Sequence, residues 1–246
     1  MENLSIVIPT LNEADYLPRV LQAISEQRYK HDLEIIVVDG NSDDNTGEIA
    51  QEFQSKIENL TILNSRERGV GLQRNLGATQ ARFEHILFLD SDVYLPPNFL
   101  NKLAEKIKSY DDIILLVLHR PPSFSVLDYI WLLILFSFIW VVQWIKPICS
   151  GSFLLTTKNN HRRVGGFDER IIIAEDVVYC HKSIELGAKY KLLFSPNVVG
   201  DPRRLREVGR CKLLYIWLKG YLYTIIKGPI YKSNQIFEYE FGKHKK

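Results

Sequence analysis

Two carboxylates one residue apart, Asp90 and Asp92, follow the apolar run Ile86-Leu87-Phe88-Leu89. Such a run reads as a short buried strand, and acidic groups at the carboxyl end of a strand stand where open α/β sheets bind their ligands. Carboxylates leaving a strand at i and i+2 can lean the same way and share one small cation. Hard oxygen ligands suit magnesium or manganese, whereas histidine and cysteine would suggest zinc. An isolated Asp-x-Asp is more often a polar turn, so its neighbours decide. A second acidic pair, Glu175-Asp176, follows an apolar loop, Ile171-Ile172-Ile173, and opens a helix. A carboxylate there is held ionised by the helix dipole and the free N–H groups, and is available to accept a proton. Plain helix capping would select the same residue types.

The elements that must position these groups are legible from hydrophobic periodicity. Strands are expected at 4–8, 33–38, 60–63 and 86–89, and helices at 14–27, 48–56 and 69–82, with Asn12 as cap of the first helix. The order β-α-β-α-β-α-β argues a parallel sheet with helices on both faces, lining Asp39, Asp90 and Asp92 along one edge. Beyond it a helix is expected from Pro96-Pro97 to 108, strands at 113–118, 152–156 and 190–194, and a helix at 174–186 ended by Gly187. The first βα turn, Pro9-Thr10-Leu11-Asn12-Glu13, lacks G-x-G-x-x-G, which disfavours a dinucleotide oxidoreductase.

A chain of 246 residues with 46% apolar and 24% charged residues can bury a sizeable core, so disorder is not the expectation. A net charge of +2 is too small to suggest a nucleic-acid partner. Cys149, Cys180 and Cys211 show neither metal-ligand spacing nor a disulfide framework, and the short N-terminal apolar run is no secretory signal. A reducing, cytosolic environment is therefore expected. Residues 129–145 carry no charge and, at about 17 residues, stand at the lower limit for crossing a bilayer. From Arg203 onward the composition turns basic and aromatic.

Five ordered motifs carry a resemblance over roughly residues 4–190. They are Val7-Ile8-Pro9-Thr10-Leu11-Asn12-Glu13, Val37-Val38-Asp39-Gly40-Asn41-Ser42-Asp43-Asp44-Asn45-Thr46, Arg74-Asn75-Leu76-Gly77-Ala78, Phe88-Leu89-Asp90-Ser91-Asp92, and Val164-Gly165-Gly166-Phe167-Asp168-Glu169 with Ala174-Glu175-Asp176. In this order they resemble the family 2 glycosyltransferases. The resemblance implies a GT-A fold, a Rossmann-like, mostly parallel α/β sheet flanked by helices. It also implies inverting transfer of a sugar from a nucleoside diphosphate sugar, UDP- or GDP-linked, to an acceptor hydroxyl or phosphate, with Mn2+ or Mg2+ as Lewis acid on the diphosphate. By family position Asp92 would hold the metal, with Asp90 facing the ribose or the cation. Asp39 would bond the base and Glu13 the ribose, Pro9 and Thr10 would lend backbone contacts, and Arg74 would place the nucleotide or sugar. Asp176 would take the acceptor proton, and Glu175, Arg203 and Arg204 would face the acceptor or the diphosphate.

The chain departs from that pattern in places. Gly40 stands where a second aspartate is usual, and Asn41 and Asn45 where glycines are common; asparagine tolerates positive φ, so the turn survives while the donor base is left open. Arg203-Arg204-Leu205-Arg206-Glu207 occupies the region of the processive Gln-x-x-Arg-Trp motif without its tryptophan, which favours a single transfer per acceptor. The organisation expected is a catalytic domain at 1–202, with a nucleotide-sugar half at 1–95 and an acceptor half at 96–202, followed by a basic aromatic helical region at 203–246. A single crossing by 129–145 would put Asp92 and Asp176 on opposite sides of a bilayer, so that segment must re-enter, lie in the interface or be buried in protein. Trp131, Trp140 and Trp144, and the basic aromatic stretch 212–231, suit an anionic membrane surface. An enzyme docked peripherally on the cytoplasmic leaflet, acting on a lipid-linked acceptor, is the expectation. The alternatives are a sugar-nucleotide nucleotidyltransferase, which would want a Gly-rich, Lys- or Arg-bearing loop after the first strand, and a catalytically silent binding module, which would have no reason to keep Asp90, Asp92 and Asp176.

Overall fold

A computed structural model of the chain describes residues 3–107, 112–120, 126–144, 146–147, 149–201 and 208–231. The first half alternates as its periodicity requires: β1 (Leu4–Thr10), α1 (Leu17–Ser25), β2 (Leu33–Asp39), α2 (Thr46–Gln54), β3 (Leu60–Asn64), α3 (Val70–Gln80) and β4 (His85–Leu89). β1 is buried along its whole length and β2 nearly so, as parallel strands covered by helices on both faces must be. β1 lies parallel between β2 and β4, and β2 pairs in parallel with β3. The carboxyl ends of β1, β2 and β4 therefore open on one edge, with Thr10 level with Asp39 and Asp90 following β4.

The second half comprises β5 (Val93–Tyr94), α4 (Phe99–Lys106), β6 (Ile113–Arg120), α5 (Val126–Val142), β7 (Phe153–Thr157), α6 (Lys158–Val164), β8 (Ile171–Ile173), α7 (Glu175–Glu185), β9 (Lys189–Gly200), α8 (Arg210–Lys227) and β10 (Ile230–Tyr231). One eight-stranded sheet runs β3-β2-β1-β4-β7-β6-β9-β5. Only β7 and β5 run against their neighbours in it. Its two faces carry separate apolar layers, one including Leu21, Leu100 and Phe153, the other Phe88, Phe167 and Tyr179.

Several expectations change. α1 starts at Leu17 with Tyr16 as its N-cap, because Pro18 fixes the first turn. Asn12 is not that cap: it has φ +58°, and its side-chain oxygen accepts from the Asp43 N–H at 2.8 Å. Residues 171–173 are a strand, β8, paired antiparallel with β10 rather than a loop. β9 does not stop at Ser195-Pro196. Its pairing with β6 lapses after Val117–Leu193 and resumes at His119–Val198, since proline lacks the N–H the ladder needs but the chain beyond it can rejoin. Cys149 and Cys180, 31 residues apart in sequence, lie 6.2 Å apart between Cα atoms and form a disulfide, contrary to the expectation from spacing.

No helix among the described residues is long and apolar enough to cross a membrane. Among the described side chains of α5 none is buried, and Leu133, Ile134 and Trp140 are exposed. Trp140 is 53% and the nearby Trp144 79% exposed. α8 packs through Leu213, Gly220, Tyr221 and Thr224, with Tyr221 Oη donating to the Lys146 carbonyl at 2.6 Å, and leaves Tyr215, Trp217, Leu222 and Ile226 outside.

Candidate active site

The loops that follow β1 and β2 are laced together by side-chain hydrogen bonds. The Asn12 N–H donates to Ser42 Oγ at 2.9 Å and the Glu13 N–H to Thr46 Oγ1 at 2.8 Å. Ser42 in turn donates to Asp39 through its hydroxyl (2.5 Å) and its N–H (3.2 Å), fixing the rotamer of a nearly buried carboxylate. Asn41 has φ +63°, so the turn after Asp39 takes the left-handed conformation that asparagine tolerates. Asn45 does not need it, with φ −78°. Arg68 closes the outside of this loop, 2.6 Å from Asp43 and 3.0 Å from the Asn41 carbonyl. Beneath it, Gln73 Nε2 bridges the Thr10 and Val38 carbonyls at 2.7 and 2.8 Å, tying β1 to β2. A Cβ at residue 40 would lie 3.0 Å from the Gln73 amide. Gly40 is thus matched to Gln73, a relation the sequence reading missed.

α3 carries three consecutive side chains with three jobs. After Gln73, Arg74 lies 2% exposed, donating through Nη2 to Asp90 Oδ1 at 3.1 Å and through Nη1 to Glu175 Oε1 at 2.8 Å. Its guanidinium faces the Phe167 ring, 5.3 Å away. Asn75 then reads the backbone of Phe167 in both directions, accepting from its N–H at 2.8 Å and donating to its carbonyl at 2.9 Å. Gly166, φ +76°, lets the chain come that close: a Cβ there would lie 2.6 Å from Asn75 Oδ1. The Arg-Asn and Gly-Gly-Phe-Asp-Glu motifs are therefore two sides of one contact.

Asp176 lies in the first turn of α7, held by the Gly151 N–H at 2.5 Å and its own helix's Val177 N–H at 2.8 Å. Ala174 precedes the pair at φ +62°, a strained conformation for a residue with a Cβ, as occurs where function sets geometry. Burial pushes the Asp176 carboxyl up to about 7; the Glu175 charge adds to this, while Arg74 and the two N–H groups pull it down. The expectation that the helix terminus simply holds it ionised thus needs correcting, because desolvation outweighs the hydrogen bonds. Burial also works against the charge on Arg74, but Asp90, Glu175 and Asp176 together raise its pKa.

Asp90 and Asp92 both keep partial access to solvent at the sheet edge. The Asp90 N–H donates to the Ser152 carbonyl at 3.0 Å, and the Asp201 N–H, just past β9, donates to the Asp92 carbonyl at 3.0 Å. No sequence motif marks Asp201 or Ser152 as a site residue; strand pairing brings them here. Ser152 Oγ lies 3.0 Å from His119 Nε2, whose ring burial holds at a pKa of about 4 and so neutral. No group of three or more His, Cys, Asp or Glu side chains among the described residues is set to hold a metal. Two carboxylates with oxygen-only chemistry still fit a hard cation that keeps water and takes its other ligands from a diphosphate, as magnesium does. Arg203 and Arg204 lie outside the described residues.

The family model described as glycosyl transferase family 2 matches residues 5–167. Glycosyltransferase GlyG of Streptococcus pneumoniae is 32% identical over 111 residues, 45% of this chain and 36% of that protein. The chain thus spans little more than a third of the length of this relative. A mannosyltransferase from Pyrobaculum calidifontis, solved with GDP-Man and Mn2+, superposes with a TM-score of 0.67 at 21% identity, covering 92% of this chain and 70% of that one. Staphylococcus aureus TarS residues 1–349 with UDP gives 0.64 at 22% identity, covering 84% and 63%. With the family model spanning most of the sheet and both solved structures sharing its architecture, the chain belongs to glycosyl transferase family 2 and has the GT-A fold.

Proposed function

We propose that this protein catalyses metal-dependent, inverting transfer of one sugar from a nucleoside diphosphate sugar, UDP- or GDP-linked, to an acceptor hydroxyl or phosphate. The observation that carries the reading is the meeting of Asp90, at the end of β4, with the Glu175-Asp176 pair at the start of α7, through Arg74. Asp39, Glu13, Pro9 and Thr10 line the donor edge and would hold the nucleoside, and Asp90 and Asp92 would hold Mn2+ or Mg2+. When bound, that cation neutralises the growing charge on the leaving diphosphate. With a hydroxyl acceptor, Asp176 takes its proton as the oxygen bonds to the anomeric carbon from the face opposite the diphosphate, whose bond to that carbon breaks, so the centre inverts; a phosphate acceptor attacks as an ionised oxygen. A base with a pKa near 7 suits this step, being mostly ionised at physiological pH yet basic enough to accept. Donor-panel measurements test the reading: UDP-, GDP- and dTDP-sugars with manganese, read as thermal shift and donor hydrolysis. One donor should raise Tm by mass action and be hydrolysed. A panel in which none does either refutes it.

The exposed apolar faces of α5 and α8 support peripheral docking on a membrane, with a lipid-linked acceptor and a cytoplasmic-leaflet location as the matching assignment. Lys212, Lys219 and Lys227 on α8 add attraction to anionic headgroups. Residues 1–202 would form the catalytic unit and residues from 203 the membrane-facing extension. Co-sedimentation with anionic vesicles at low salt should bring the protein down, and Trp140→Glu with Trp217→Glu should release it. Wild type remaining in the supernatant ends the membrane assignment.

A further inference from the structure

We propose that Arg74 is a positioning residue that fixes the distance between the donor carboxylate and the base from inside the fold, without touching the donor. This rests on the reading of Asp176 as the base. The contacts form a closed ring. Arg74 binds Asp90 at 3.1 Å; the Asp90 N–H binds the Ser152 carbonyl at 3.0 Å; one residue back, the Gly151 N–H binds Asp176 at 2.5 Å; and the adjoining Glu175 returns to Arg74 at 2.8 Å. Donor-side and base-side carboxylates therefore cannot move apart without breaking at least one of these part-buried contacts.

The packing shows what holds the ring's size. A Cβ on Gly151 would lie 2.5 and 2.7 Å from the two Nη atoms, so the 150–152 backbone lies directly on the guanidinium. Phe167 covers the cation at 5.3 Å, and the side chain is 2% exposed, which leaves no open face for a diphosphate or sugar. A planar fork with fixed donor directions can span two carboxylates at once, whereas the lysine ammonium, a point charge, cannot hold both directions. Buried ion pairs contribute little to stability once desolvation is counted, so the role assigned to this one is geometric. Glu175 is then the anchor of Arg74 and not an acceptor contact.

The groups that face the Asp176 carboxylate are Arg74 from α3, Glu175 from α7, and the N–H groups of Gly151 and Val177. Their charges act on it in opposite directions, which gives the test a signature. In the full chain, with the donor and cation identified for wild type, Arg74→Lys should bind donor within about threefold of wild type while kcat falls about 100-fold. Gly151→Ala, which pushes the guanidinium without removing it, should give the same kcat-weighted loss. Arg74→Gln should move the acidic limb of the kcat/KM profile to higher pH, and Glu175→Gln, an isosteric change that keeps a hydrogen bond to Arg74, should move it to lower pH. Donor affinity falling in step with kcat in Arg74→Lys would mean direct donor contact and overturn the proposal, as would limbs that stay where wild type has them. Should the Arg74 variants fail to fold, Gly151→Ala decides: donor affinity kept while kcat falls supports the proposal, and the two falling in step overturns it. Wild type inactive on every donor refutes the transferase reading instead, so the two failures are distinct.

Discussion

Replacing Asp176 by asparagine should make the protein inactive and more stable at once, a combination that separates a catalytic carboxylate from a capping one. The carboxyl titrates near 7 in the folded chain against an ordinary value of 3.8, so folding lifts it by roughly 3 units. At about 1.36 kcal/mol per unit, the ionised form destabilises the fold by up to about 4 kcal/mol above pH 7. The sign follows from proton binding: between 3.8 and 7 the native state holds the proton and the unfolded state does not. Stability is therefore highest, as far as this group is concerned, below pH 3.8 and is lost as pH rises through 7. Asparagine never carries the charge, but its single oxygen serves only one of the two N–H donors from Gly151 and Val177, and losing one such bond costs about 1–2 kcal/mol. The side chain also keeps some solvent contact, so the net gain at pH 8 is about 1–2 kcal/mol, shrinking toward zero or below at pH 4. Activity moves the other way. Loss of a positioned base removes about 10²–10⁴ in rate. For wild type, kcat/KM should fall about tenfold per pH unit below 7, close to 100-fold by pH 5. Urea unfolding at pH 4 and 8, with initial rates on the identified donor, measures both. A variant that is less stable at pH 8 yet fully active would show that Asp176 only caps α7.

Asp92→Ala should abolish the manganese-dependent part of the donor thermal shift while leaving the fold intact; an unchanged shift removes Asp92 from the cation site. Asn75→Ala leaves both backbone groups of Phe167 without their partner, and should destabilise by about 2–3 kcal/mol in urea unfolding, with donor binding less affected than turnover. Ala174→Gly relieves a left-handed residue and should stabilise by about 1 kcal/mol, in a Tm scan, while lowering turnover if the strain orients Glu175 and Asp176.

The parallel half of the sheet was legible in the sequence because its rules are local. Continuous apolar runs for β1, β2 and β4, separated by helical periodicity, leave one topology with Asp39 and Asp90 on the same edge, and the structure has it. The five ordered motifs likewise named the family before any coordinate. Where elements began and ended was less legible when a distant partner decided it. β9 continues past a proline because β6 resumes pairing, and β8 exists because β10 meets it. Asn12 was read as a helix cap because capping is a local rule, but its oxygen meets Asp43, 31 residues away.

What the sequence determined by itself was which chemistry the chain can carry: oxygen ligands for a hard cation, an acidic pair opening a helix, and an unusually apolar segment. Only the tertiary structure decided how those groups act. Arg74 was expected to place the nucleotide or sugar, and folding buries it between Asp90 and Glu175, because α3 faces both the end of β4 and the start of α7. Asp176 was expected to be an ordinary ionised carboxylate, and it becomes a base near 7 because burial is a property of the whole packing around it. Cys149 and Cys180 meet for the same reason. Residue type is set one position at a time, whereas desolvation and contact between distant residues exist only once the chain has closed on itself.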